Sequence, residues 1–442
     1  MAKYYIDLNC GSDENDGLCA DKPKKTPAAV KAEAGDKVYI KRGGFCRGWL
    51  SLCSGTPDAP VEYLTYGEGA KPIFSGTVDI SGASLWEDCG GNIWRLKEKL
   101  ASEPCNIIFD GGKSCGNMRW EYDELQNAGE WYDAGAGDTA AGKEYSGCLY
   151  LCSVGNPALR YGKIEAALYG GRWLARGTNV ILRDICFYGS GVHGFTGKPR
   201  NTSLYYCEFR FIGGCVWNRE RKIRFGNAIE FWDIAENCTV ENCLFHNIYD
   251  SCVTHQGGMD VTPAKNVRFV GNLFSCYGMA AYEQRDRMPV NTDFCGNICI
   301  GAGEGFAPQG EKPPRNSEIY PMPMGHHLFL WRIENPSEGG SLTVSGNVFA
   351  SAPVGAAVFS LAGAAAEEQL RIDENAYDFS RMMLISRIGG REYAPAEYEK
   401  YLAETGHDGK NAKSADVSRA VAEFEKRSGC DASDVREYFG II

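Results

Sequence analysis

The sequence predicts an all-β parallel solenoid, and three observations carry that expectation. A short strand-like unit recurs along the chain, an Asn or equivalent residue recurs within it, and the segments between units lack any 3.6-residue apolar period. When "NVILRDICF", "TSLYYCEF", "CTVENCLF", "NVRFVGNLF", "TDFCGNICI" and "LTVSGNVF" are aligned, Asp184, Tyr206, Asn242, Asn272, Asn297 and Asn347 fall in one column. The steps between them are 22, 36, 30, 25 and 50 residues. Most of these steps are too short for a strand, a crossover helix and its packing, so each repeat reads as one coil of a winding chain. Asn suits such a column because it tolerates the left-handed conformation and can hydrogen-bond to its copies above and below.

Each unit is followed by a second strand: "GVHGF", "NAIEFW", "SCVTHQ" and "MAAYEQ". Every coil therefore adds a rung to at least two parallel sheets. The 50-residue step marks an expanded coil interrupted by the Pro-rich "APQGEKPPRNSEIYPMPMG". In chain order, residues 1–36 read as an N-terminal cap with a short helix in "TPAAVKAEA", and 37–82 as the first coils. Residues 83–175, rich in Trp and Tyr, read as a β-rich insertion, 176–378 as the main β-helix carrying a groove, and 379–442 as a helical extension.

Composition excludes several function classes. The 442 residues are 44% hydrophobic, enough for a large core, with a formal net charge of -11 and no basic patch. This disfavours nucleic acid and anionic membrane surfaces as partners, since both demand clustered cations. No apolar run is long enough to span a bilayer, and "MAKYYIDLNC" enters a strand pattern at once, so a soluble, cytoplasmic setting is expected. The 19 cysteines include no C-x2-C pair and sit largely at strand positions, which reads as packed thiols in a reducing compartment. No metal and no cofactor is called for. "GSDENDG" spaces Asp13, Asn15 and Asp16 like oxygen ligands of a calcium loop, but position twelve counted from Asp13 is Lys24, so it reads as a solvated turn.

The opening "YYIDLNCGSDENDGLCADKPKKT", with "GDKVYIKRGG" and "YGEGAKPIFSG", resembles the N-terminal part of bacterial right-handed parallel β-helix proteins of the pectate-lyase-like superfamily. "GEWYDAGAG", "LYLCSVGNPALRYGKIEAAL" and "EYEKYLAETGHDGKN" resemble the later parts of those proteins, so the likeness spans nearly the whole chain. It implies a right-handed parallel β-helix and a carbohydrate-active role. Reaction is less constrained, because one fold hosts many chemistries.

The second strands supply the candidate site. Alignment of "AIEF", "CVTH" and "AAYE" puts Glu230, Thr254 and Tyr282 in one column and Phe231, His255 and Glu283 in the next, with His193 stacked on Glu230. Alternation along a strand allows only one of these columns to face solvent. Asp250 lies at the turn before its strand. Glu230, Asp250, Glu283 and His255 are the catalytic candidates: paired carboxylates cleave glycosides, and an imidazole can tune them or bind a hydroxyl. His193, Trp232, Gln256, Arg285, His326 and Arg332 are candidate substrate contacts. Trp217, Trp331, Trp120 and Trp131 could stack on sugar rings or sit in the core. The Pro-rich loop is a candidate lid. A glycoside hydrolase acting on an oligo- or polysaccharide is the first reading. A polysaccharide lyase, recruiting Arg285 and Arg287 against a uronate polymer, and a non-catalytic carbohydrate-binding solenoid are the alternatives.

Overall fold

A computed structural model describes residues 1–170, 173–258, 261–306, 324–409 and 415–441. The Pro-rich lid candidate lies almost wholly outside them. Parallel strands stack coil on coil and form three faces. The first face is a ten-stranded sheet running from Lys3–Ile6 and Lys37–Lys41 to Leu342–Ser345 and Leu370–Asp373. Lys3–Ile6 pairs with the strand that begins at Lys37, so the first rung lies inside the segment expected to be a cap. The helix expected in "TPAAVKAEA" is one 3-10 turn, Pro27–Ala29, because Pro27 starts it and nothing apolar repeats to extend it.

The second face stacks Phe45–Arg47, Ile73–Ser75, Cys186–Tyr188, Glu208–Ile212, Leu244–Ile248, Leu273–Tyr277 and Ile298–Ala302. The third stacks Trp173–Arg176, His193–Gly197, Ile229–Trp232, Ser251–Gln256, Ala280–Arg285 and His326–Trp331. The long strand Val348–Ser360 joins the second and third faces at one end. Interior residues repeat from coil to coil, so identical rings meet: Phe187, Phe209, Phe245 and Phe274 stack at 5.0, 4.9 and 4.8 Å between centroids. Cys207, Cys243, Cys252 and Cys299 pack in the same core as small apolar groups.

The single Asn column resolves into two adjacent ones. Asp184, Tyr206 and Asn242 share the left-handed turn position with Gly271, Gly296 and Gly346, at φ between 53° and 65°. Asn272, Asn297 and Asn347 sit one residue later and form a buried ladder with Asn375, each Nδ2 donating to the next Oδ1 at 2.9 to 3.0 Å. Asn375 in turn donates to Asp408 at 2.8 Å. The alignment placed the two sets together because Gly replaces Asn as the left-handed residue in the later coils. A second ladder, Asn179, Asn201, Asn237, Asn266 and Asn291, lines another turn, all left-handed, with amide bonds of 2.8 to 3.0 Å.

Between Thr77 and Leu168 the chain leaves the coil and builds two mostly antiparallel sheets around their own core of Trp86, Ile107, Phe109, Trp131 and Leu151. Buried Glu165 fastens this unit to the solenoid, accepting from Thr77 Oγ1 at 3.0 Å and Tyr188 hydroxyl at 3.2 Å and pairing with Lys163 and Arg47. At the other end, helix Val417–Ser428 lays Val421 and Phe424 over Leu244, Leu273 and Ile298, covering the outside of the second face. The third face holds the strands expected to line the groove.

Candidate functional site

The third face turns its side chains by a fixed rule. At the corner, Ala228, Cys252 and Ala281 and then Ile229, Val253 and Tyr282 all enter the core. Alternation then sends Glu230, Thr254 and Glu283 outward, Phe231, His255 and Gln284 inward, and Trp232, Gln256 and Arg285 outward again. The expected register is therefore off by one residue at the last coil: Glu283 pairs with Thr254, in the column of Glu230. Tyr282 sets this register, because its ring packs in the core against Phe269 and Phe294 at 4.8 and 5.7 Å.

His255 is consequently not a groove residue. It shares an inward column with Phe231 and Leu330 and accepts from Gln284 Nε2 at 3.1 Å, and burial pulls its pKa down to about 4. His193 does not stack on Glu230 either; Thr196 does. His193 pairs with Trp173 on one side and, on the other, accepts the backbone N–H of Asn227 at Nδ1, 3.2 Å away.

Glu230 is fully buried. Its carboxyl accepts from Gln256 Nε2 at 2.6 Å and from Asn227 Nδ2. Burial pushes its pKa up to about 8, against the pull of those two amides and of Arg285, which favours the protonated form. Glu283, also fully buried, accepts from Ser251 Oγ at 2.8 Å and is ion-paired with Arg285. Burial works against the charge of Arg285, but Glu283 chiefly, with Asp250 and Glu230, holds its proton more firmly than usual. Asp250 is buried at the turn before Ser251, and its carbonyl accepts the Met279 N–H at 3.0 Å. The structure thus brings Glu230, Glu283, Asp250, Gln256 and Arg285 together. Asn227 and Ser251, which hold the two glutamates, were not anticipated; Asn227 is three residues before Glu230, and that spacing was the available signal.

The other candidates scatter. Trp232 is 41% exposed and stands in the outer column with Gln256. His326 is buried, its ring stacked on Phe359 at 4.2 Å and its Nδ1 accepting from Ala356 N at 3.1 Å. Arg332, left-handed at φ 55°, lies over Trp331 and borders a separate cleft with Gly258, Asp286, Arg287 and Glu334. Trp131 is core of the antiparallel unit, Trp217 is exposed on the hairpin, and Trp120 is half-buried. Asp13 accepts from Thr26 N and Oγ1 and from Lys25 N at 2.8 to 2.9 Å, and thus serves as a turn.

The groove has a wall. The hairpin of Cys215–Asn218 and Ile223–Phe225 rises beside the third face, tied to the antiparallel unit by Arg224 Nη2 donating to Cys105 O at 2.8 Å and Arg219 Nη1 donating to Ala134 O at 3.2 Å. Next to Glu230, a cleft of about 320 Å³ is lined by Tyr169, Trp173, His193, Thr196, Phe225 and Trp232, among others. Among the described residues, no helix is long and apolar enough to cross a membrane.

No protein-family model matches the chain, and no curated protein matches it in sequence. Solved structures do match in shape. XylC, solved in complex with xylose, superposes with a TM-score of 0.54 at 12% identity over 85% of this chain, which spans only 65% of the length of XylC. A glycoside hydrolase superposes with a TM-score of 0.50 at 10% identity, over 86% of this chain and 94% of its own. The pectate lyase Pel9A matches more loosely, with a TM-score of 0.45 at 11% identity over 90% of this chain and 73% of its own. With three parallel faces wound coil on coil, and with the shape it shares with XylC and the glycoside hydrolase, the chain has a parallel β-helix fold.

Proposed function

We propose that the protein is a carbohydrate-active enzyme, and within that class a glycoside hydrolase in which Glu230 is the proton donor and Glu283 the base. The observation that carries this reading is the pair itself: two buried carboxyls in one outward column, one held by two amides and one ion-paired with Arg285. Glycosidic cleavage by inversion needs an acid and a carboxylate base about 6.5–9.5 Å apart, with a water between. Two rungs at about 4.8 Å each put the Glu230 and Glu283 backbones about 9.6 Å apart, near the upper end of that range. Glu230 gives its proton to the leaving oxygen as the glycosidic bond breaks. Glu283 takes a proton from the water whose oxygen bonds to the anomeric carbon. Arg285 orients Glu283, and Asp250 adds a third carboxyl at the same cation. The fold and the saccharide held by XylC support a sugar substrate. Eleven buried thiols among nineteen support a reducing, cytoplasmic setting.

The test is a panel of neutral aryl-glycosides and natural oligosaccharides beside uronate polymers. Release of a reducing sugar with inverted anomeric configuration, followed by NMR, is expected. An unsaturated product absorbing in the ultraviolet would replace this reading with elimination.

A further inference from the structure

The cleft beside Glu230 differs from the rest of the groove. Tyr169, Trp173, Phe225 and Trp232 give it aromatic faces, and Thr196 sits directly under Glu230 in the outward column. At about 320 Å³ it is at the small end of the usual range for ligand sites, about 300–1,000 Å³, which suits one sugar ring better than a run of them. The cleft is also where the groove stops. Trp173–Arg176 is the edge strand of the third face, and among the described residues only an isolated bridge between Leu50 and Ala175 continues the pairing beyond it. Tyr169, at the end of the antiparallel unit, stands at that edge. A chain lying along the third face therefore leaves the cleft in one direction, toward Gln256 and Arg285.

The His193 ring offers a donor for a hydroxyl. His193 accepts from Asn227 N at Nδ1, so its neutral ring keeps the proton on Nε2 as a donor. The same Asn227 donates through its side chain to Glu230 and accepts Ser251 N at 2.8 Å, so the cleft and the proton donor share one support. Of the two cations at the rim, Lys198 pairs with Asp233 at 2.5 Å, and Arg176 lies 5.4 Å over the Trp173 ring. The cleft then presents stacking surface and the His193 Nε2–H, which suit an uncharged ring.

We infer that this cleft seats the terminal sugar ring of a neutral glycan, so that the enzyme trims chains from one end. The inference rests on the glycoside-hydrolase reading above. Two measurements separate them: the product profile on neutral oligosaccharides of graded length, and calorimetric titration with the neutral monosaccharides glucose, galactose, xylose and N-acetylglucosamine. Expected are one product of constant size from the first minutes, binding of at least one monosaccharide, and about a tenfold loss of that affinity in Trp173→Ala, restored in large part by Trp173→Phe. Circular dichroism confirms that the variants are folded. If the protein hydrolyses oligosaccharides at internal bonds and Trp173→Ala leaves KM unchanged, the inference is overturned while the hydrolase stands. If no glycoside is cleaved but a monosaccharide binds through Trp173, the sugar cleft stands and the hydrolase falls. Binding only of acid sugars, or of no sugar, overturns the inference.

Discussion

Glu230 and Glu283 stand in one outward column with only Thr254 between them. Their environments differ: two amides hold Glu230, while a guanidinium and a hydroxyl hold Glu283. If they divide the labour of acid and base, Glu230→Gln and Glu283→Gln should each lower kcat by about 10²–10⁴-fold with the fold retained. Asp250→Asn should cost less, since Asp250 acts through Arg285. Turnover on the best glycoside, checked against circular dichroism, decides; near-full activity in both glutamine variants would move the active site elsewhere.

Glu230 also ties stability to pH. Its folded pKa of about 8 lies above the ordinary carboxyl value of 4.5, so between those pH values the native state binds the extra proton. The stabilisation that proton confers is complete below pH 4.5 and is lost as pH rises toward 8. Glu230→Gln removes this dependence, so its melting temperature should gain on the parent as pH is raised through that window. Activity of the parent should fall as pH passes 8. A gap in melting temperature that does not change from pH 5 to 8 would refute the assignment.

His255 faces the core, so His255→Gln should leave turnover within a few-fold of the parent. It should change acid stability instead. Burial depresses the ring to about 4, below the ordinary 6.5, so its contribution is full above pH 6.5 and lost as pH falls toward 4. Denaturation across that range should show a shallower pH slope in the variant. A kinetic defect of 10² or more without loss of fold would return His255 to the site.

The buried and exposed Asn ladders should differ in weight. Asn297→Ala leaves Asn272 N and Nδ2 without their shared acceptor inside the protein, at a cost on the order of 1–3 kcal/mol for each orphaned group. Asn237→Gly keeps the left-handed backbone at an exposed turn and should cost under about 1 kcal/mol. Urea or thermal melts of the two variants compare them directly; equal losses would deny the buried ladder its role.

The coil period and the candidate groove strands were legible because a solenoid repeats in sequence what it stacks in space. Glu230, Gln256 and Arg285 could be named from "IEFW", "THQ" and "EQR" since alternation leaves every second residue outside. The register at Tyr282 was not legible: an aligned column cannot tell which of two neighbouring residues the core will claim, and there the aromatic ring won. The second Asn ladder had a signal, with steps of 22, 36, 29 and 25 residues that mirror the first column, but its residues lie outside the strand motif. Asn227 and Ser251 escaped because an amide and a hydroxyl at strand starts look like ordinary turn chemistry until a buried carboxyl is placed beside them.

The buried ladder has a sense of direction. Each side-chain amide gives one hydrogen to the Asn of the next coil and the other to a backbone carbonyl of the previous coil, while its oxygen accepts from the previous coil, so adding a coil always leaves the last Asn with a hydrogen to give. Asp408 ends the series because a carboxylate can only receive; Asn375 donates to it from both backbone and side chain, and Tyr377 and Tyr401 hydroxyls occupy its other oxygen. The segment that carries Asp408 thus works as a full stop in the polymer's grammar. Lengthening this solenoid by design would mean writing Asn at that point and moving the acid one coil further on.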